Sequence, residues 1–164
     1  MKKSFNRILL GALALTLIVP AAAMAQSSDT AQADALANII APITLTWASD
    51  LNFGDIVTDA DGGTVTVTTG GAGTAFGGLT LLASTTTTAA TFTVGGTSGR
   101  AFTLTVDPTV TLVGPGNDMT ASLVGSGNGV VGTDNVAVGG ALKVGATQTE
   151  GSYSAEFDVT VSYQ

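Results

Sequence analysis

An all-β sandwich is the fold this sequence predicts, on three observations. Past Ala41 the chain breaks into short runs rich in Thr, Val and Leu, several of them alternating apolar and polar residues with period two. Clusters of Gly, Asn and Asp separate these runs, and the 22 glycines supply residues suited to tight turns. No stretch after Ala41 carries helical periodicity, so the strands have only one another to pack against.

The first element is read over residues 31–47, where Ala31, Ala33, Ala35, Ala37, Ile39, Ala41, Ile43, Leu45 and Trp47 place an apolar residue at every second position. A helix over residues 30–40, capped by Asp29 or Thr30, competes for this segment because alanine is a strong helix former. Pro42 and the β-branched residues after it require extended backbone, and the alternation runs through them unbroken. The strand is therefore preferred, most firmly from Ile39 onward. Further strands are expected at residues 64–68, 79–83, 91–94, 102–106, 110–113, 119–124, 136–144 and 153–163. Those at 64–68, 91–94 and 102–106 alternate strictly, as half-buried strands with one wet face do. Turns are expected at Asp61-Gly62-Gly63, Gly70-Gly71-Ala72-Gly73, Gly95-Gly96 and Gly114-Pro115-Gly116-Asn117-Asp118. Another is expected at Asn128-Gly129, a dipeptide suited to a tight hairpin. Trp47, Tyr153 and Tyr163 all sit in apolar strand patterns and are read as core.

The beginning of the chain has a different character. Lys2, Lys3 and Arg7 precede an apolar run at residues 8–19 and the small-residue stretch ending Ala23-Met24-Ala25, which together predict a secretory signal peptide over residues 1–25. The run is shorter than the ~20 residues that span a bilayer, and no Cys is present to carry a lipid. Cleavage after Ala25 leaves residues 26–164, divided into an N-terminal extension at 26–38 and a sandwich domain at 39–164. The expected route is export through the inner membrane to the periplasm and then the cell surface, with no membrane insertion after cleavage. Only Arg100 and Lys143 then remain against twelve acids, a net charge of −10. Two isolated cations cannot replace the counterions of a phosphate backbone, so nucleic acid is not an expected partner.

Composition also narrows the chemistry. With no His and no Cys, the commonest general base, the thiolate nucleophile, the usual transition-metal ligands and every disulfide are missing. No Ser or Thr has a neighbouring group that would activate it, and the glycines at 70–73 lack the Lys and helix of a phosphate loop. Paired carboxylates remain, and Asp55, Asp59 and Asp61 lie close in sequence, though with no aromatic residue among them to stack a sugar. Asp59-Ala60-Asp61-Gly62 resembles the start of a calcium loop, but the closing acid is absent and Gly70 stands in its place. These three acids are read first as a solvated turn, and otherwise as the contact group of a domain that binds calcium or a carbohydrate. The run Thr85-Thr86-Thr87-Thr88 suits an exposed edge or a glycan-bearing loop. No enzyme and no cofactor is expected.

The sharpest local pattern is at residues 151–164. Tyr153, Ala155, Phe157, Val159, Val161 and Tyr163 face one way; Ser154, Glu156, Asp158, Thr160 and Ser162 face the other. With Gly151 fourteenth from the end and Tyr163 penultimate, the segment resembles the C-terminal signature of bacterial chaperone-usher pilins. The wider pattern resembles the exported bacterial family known as domain of unknown function 4402. The matching stretches are Ala41-Pro42-Ile43-Thr44-Leu45-Thr46, Asp50-Leu51-Asn52-Phe53-Gly54, Gly63-Thr64-Val65-Thr66-Val67, Ala90-Thr91-Phe92-Thr93-Val94, Val138-Gly139-Gly140-Ala141-Leu142-Lys143-Val144 and the closing segment.

The pilin resemblance implies an immunoglobulin-like β-sandwich, incomplete by one strand and completed by a donor strand from another copy. It draws the donor from residues 28–40, with Ala31, Ala33, Ala35, Ala37 and Ile39 on its apolar face. Gly151, Tyr153, Ala155, Phe157, Val159, Val161 and Tyr163 then belong to the C-terminal assembly strand, which a periplasmic chaperone holds before an outer-membrane usher passes the subunit on. The chain departs from many pilins in having no Cys, and no Gly between Gln26 and Phe53. The expected function is that of a structural subunit of a surface filament, a pilus or fimbria with a role in adhesion or biofilm, polymerising with other copies of itself. The rival readings are a self-contained secreted β-sandwich binding carbohydrate or calcium, and a surface coat or matrix protein.

Overall fold

Ten strands and no helix make up the described chain, residues 28–164, in a computed structural model. The expected signal peptide lies outside the described residues. In order the strands are β1 (Thr44–Ser49), β2 (Ile56–Val67), β3 (Gly73–Leu81), β4 (Ala90–Gly95) and β5 (Ala101–Val106). They continue with β6 (Thr109–Leu112), β7 (Met119–Gly125), β8 (Gly129–Val130), β9 (Val136–Val144) and β10 (Val159–Tyr163). All pairings are antiparallel and form two sheets: β1-β4-β9-β2-β3 with β6 and β7 added through β9, and a smaller sheet β10-β5-β8. The architecture is an all-β sandwich.

β9 organises the larger sheet. Its first residues pair with β4 (Val138 with Ala90) and its later ones with β2 (Leu142 with Val65), while β7 runs along its other edge. Alternate side chains of β9 face the core, and Val136, Val138, Leu142 and Val144 on that face are all buried, while Lys143 is exposed. Val138, Leu142 and Val144 join Val65, Val67, Ala121 and Leu123 in the main core, while Val94, Phe102, Val131 and Val136 form a second cluster under the smaller sheet. No polar or charged residue is buried among the described residues, as expected for a core without unmatched hydrogen-bonding groups.

Several expectations are corrected. Residues 31–47 are not one strand: pairing begins at Thr44, and residues 28–42 have no regular structure, neither strand nor the competing helix. Alternation shows that a segment can line a surface; it does not supply the partner edge a ladder needs. Asp61-Gly62-Gly63 is no turn between strands but part of β2, where the register against β3 shifts between Thr58 and Gly63 in a bulge. Asn128-Gly129 makes no tight hairpin. Instead the Asn128 side chain accepts from the Leu104 backbone N–H at 3.0 Å, and Gly129 pairs with Phe102. Residues 153–163 split in two: Ser154 pairs with Val113, and the ladder to β5 starts only at Val159. Trp47 is not core: it is 61% exposed.

Two units divide the chain, Met1–Ala37, of which only residues 28–37 are described, and Asn38–Gln164. In the first, every described residue from Ser28 to Ala37 is exposed, and Leu36 is 93% exposed. All ten strands belong to the second.

Candidate functional site

The second unit is open along one side. Its opening lies between residues 50–58, which link β1 to β2, and residues 148–157, which lead into β10, and it encloses about 840 Å³. Val110, Leu112, Met119, Leu142 and Val144 form an apolar floor, with Leu51, Phe53, Tyr153 and Phe157 on the walls. Asp50, Asp55 and Glu150 also line it, with no Lys or Arg. An apolar floor under an acidic rim suits an apolar, extended occupant rather than an anion.

Both walls are pinned from behind. Asn52 and Thr88 exchange backbone hydrogen bonds at 2.9 and 3.0 Å, the Thr88 hydroxyl donates to the Asp50 carbonyl at 2.9 Å, and the Thr85 hydroxyl accepts from the Asp55 N–H at 2.9 Å. Thr87 donates to the Gly71 carbonyl at 2.8 Å. Three of the four consecutive threonines thus buckle a groove wall and a hairpin together, a role that no local pattern in the sequence signals. On the opposite wall Ser154 and Val113 exchange backbone bonds at 3.0 and 3.1 Å, and the Tyr153 hydroxyl donates to the Thr149 carbonyl at 2.8 Å. Gly151 has φ +140°, and a Cβ there would lie 2.5 Å from the Pro115 ring. Glycine fits this position on both counts.

Five strands, β1, β3, β6, β8 and β10, each keep one unpaired edge. β1 pairs only with β4, and β10 only with β5. The Asp107 N–H donates to the Asp158 carbonyl and the Gln164 N–H to the Ala101 carbonyl, so the even-numbered residues of β10 direct their backbone groups at β5. Val159, Val161 and Tyr163 therefore direct theirs at the free edge. Their side chains face the core yet are only half-buried, as are Tyr153 and Phe157; Gly151 and Ala155 are exposed.

A knot closes the end of this edge. The Tyr163 hydroxyl donates to the Ala41 carbonyl at 2.9 Å and accepts from the Thr97 N–H at 2.8 Å, while the Ala41 N–H donates to the Thr97 hydroxyl at 2.9 Å. The hydroxyl sits where a Cβ on Gly96 would be, 2.2 Å away, so Gly96 leaves room for it. Immediately before this knot Ile39 is 95% exposed.

The remaining expected site residues are placed as follows. Ala31, Ala33, Ala35 and Ala37 are exposed and in no ladder. Asp55 lines the groove, whereas Asp59 turns its carboxylate back on its own strand, accepting from the Asp61 N–H at 2.8 Å. Among the described residues no three His, Cys, Asp or Glu side chains converge as metal ligands would, so the structure does not bring Asp55, Asp59 and Asp61 together. The floor residues are what the sequence reading missed as site residues. The floor residues look like any other core position in sequence, and only the position of the gap distinguishes them.

A family model described as a domain of unknown function, DUF4402, matches residues 43–163. No curated protein and no solved structure matches the chain. The chain belongs to the DUF4402 family, and the matched span holds all ten strands and both groove walls but not the extension before Ile43.

Proposed function

We propose that this DUF4402 protein is the structural subunit of a surface filament, built by placing the extension of one copy in the groove of the next. The observation that carries the reading is the presence in one chain of both halves of a missing pairing. A groove with an apolar floor lies beside the segment leading into β10, which keeps one edge unpaired, and an exposed extension with apolar residues at alternate positions pairs with nothing among the described residues. Edge strands and apolar grooves are costly to leave open, and strand addition removes both costs at once through backbone hydrogen bonds and pocket filling. Residues 28–40 are thirteen, so an extended donor is long enough to run the five residues of β10 and on along the segment that precedes it.

On this reading the chain is exported by its signal peptide, held along β10 by a periplasmic chaperone and passed to an outer-membrane usher. The filament serves adhesion or biofilm, with no catalysis and no cofactor. Removing residues 26–37 tests it. The variant should fold and remain monomeric in size-exclusion chromatography while still accepting an intact copy's extension. Filaments of normal length from the shortened chain would overturn the reading.

A further inference from the structure

Trp47 is exposed on the wrong face for a surface residue. Across an antiparallel ladder, paired residues point to the same side of the sheet, and Leu45 pairs with Val94 and Trp47 with Phe92. Val94 is buried, Phe92 packs against both core clusters, and Leu45 is half-buried. Trp47 therefore stands on the core side of β1, yet 61% of it is open. A single polar contact holds it: the indole N–H donates to Asp50 Oδ1 at 3.0 Å, and Asp50 lines the groove. Along β1, Trp47 lies four residues past Ile43, which neighbours the Tyr163 hydroxyl at Gly96.

We infer that Trp47 is a wall of the acceptor site, covered when the extension of a second copy enters between β1 and β10. This rests on the strand-donation reading and adds to it the residue that closes over the donor. An indole suits the position: its faces cover the small side chains of Ala31, Ala33, Ala35 and Ala37, which alone bury little area, while Asp50 keeps its N–H satisfied. The chain has one Trp and the extension has none, so the indole reports on the site without labelling.

The test uses the full mature chain, refolded as monomer and mixed with a synthetic peptide of residues 28–40 carrying a dansyl group at its N terminus. The expected result is a shift of indole emission to shorter wavelength, energy transfer to the dansyl group, and binding weakened by roughly thirtyfold or more in Trp47→Ala, the level at which an interface aromatic counts as a dominant contact. Trp47→Phe should restore most of that loss, and both variants should fold, because the side chain makes few contacts in its own subunit. Peptide that co-elutes with the chain while emission and Trp47→Ala affinity stay unchanged overturns the role of Trp47 and leaves strand donation standing. Peptide that does not bind at all overturns both. Emission that responds to soluble sugars and not to the peptide marks a glycan platform, and also overturns the inference.

Discussion

The Tyr163 hydroxyl serves two backbone groups at once, and its removal is the simplest probe of how the ends of the domain are tied. In Tyr163→Phe the half-buried Thr97 N–H loses its acceptor and the Ala41 carbonyl its donor. An unsatisfied group of this kind costs about 1–3 kcal/mol, so the urea midpoint should fall with an unchanged m-value. An unshifted midpoint would show that water replaces both bonds at no cost. Gly151→Ala adds a Cβ at φ +140° against Pro115, and should lower stability by roughly 1–3 kcal/mol in the same titration. At this scale the sequence was only partly legible. Gly151 and Tyr163 stood out by resemblance, and their physical reasons, a glycine-only backbone angle and a two-way hydroxyl knot, needed the fold. Trp47 was misread because alternation reports which face a side chain takes, not whether that face is covered.

Strands β1 and β10 are where the structure departs most from a closed sandwich, and the parity of β10 gives the element a two-sided test. The Val161 N–H points to the free edge and the Thr160 N–H to β5. Proline is tolerated where a strand's N–H faces outward and not where it serves the ladder. Val161→Pro should therefore leave a folded monomer that accepts no donor, whereas Thr160→Pro should lower the melting temperature sharply. Equal behaviour of the two variants in thermal melts and polymer yield would contradict the assignment of the free edge. Strands β4 to β7 and β9 were well legible, because residues such as Phe102, Met119 and Val136 to Val144 carry enough apolar area to fix their own faces. The extension was the least legible, since its alanines satisfy helix preference and strand alternation equally. What decides between the two is a partner edge, which a single chain's sequence does not display. The bulge in β2 was hidden for a related reason: Asp61-Gly62-Gly63 has turn chemistry, and here that chemistry bends a strand without ending it.

For the whole molecule, charge opposes assembly. The mature chain is expected to carry −10 at neutral pH. The groove is lined by Asp50, Asp55 and Glu150, and the extension itself carries Asp29 and Asp34. Copies of such a chain repel one another over a screening length that shrinks from about 30 Å at 0.01 M salt to about 10 Å at 0.1 M. Polymerisation followed by light scattering should therefore accelerate across that range, and a rate that falls with added salt would contradict repulsion as the controlling term. An all-β fold and the lack of His and Cys could be read from the sequence. The position of the open side could not, because it depends on how the segments at residues 50–58 and 148–157 pass over the core without pairing to each other. The central claim is that an open groove in each copy is closed by the extension of another, and the most direct measurement is made on material sheared from the surface of producing cells. Run on a denaturing gel with and without boiling and probed for this chain, it should give a ladder that collapses to one band only on boiling, the mark of a kinetically locked polymer. A single monomer band in both lanes would contradict the account.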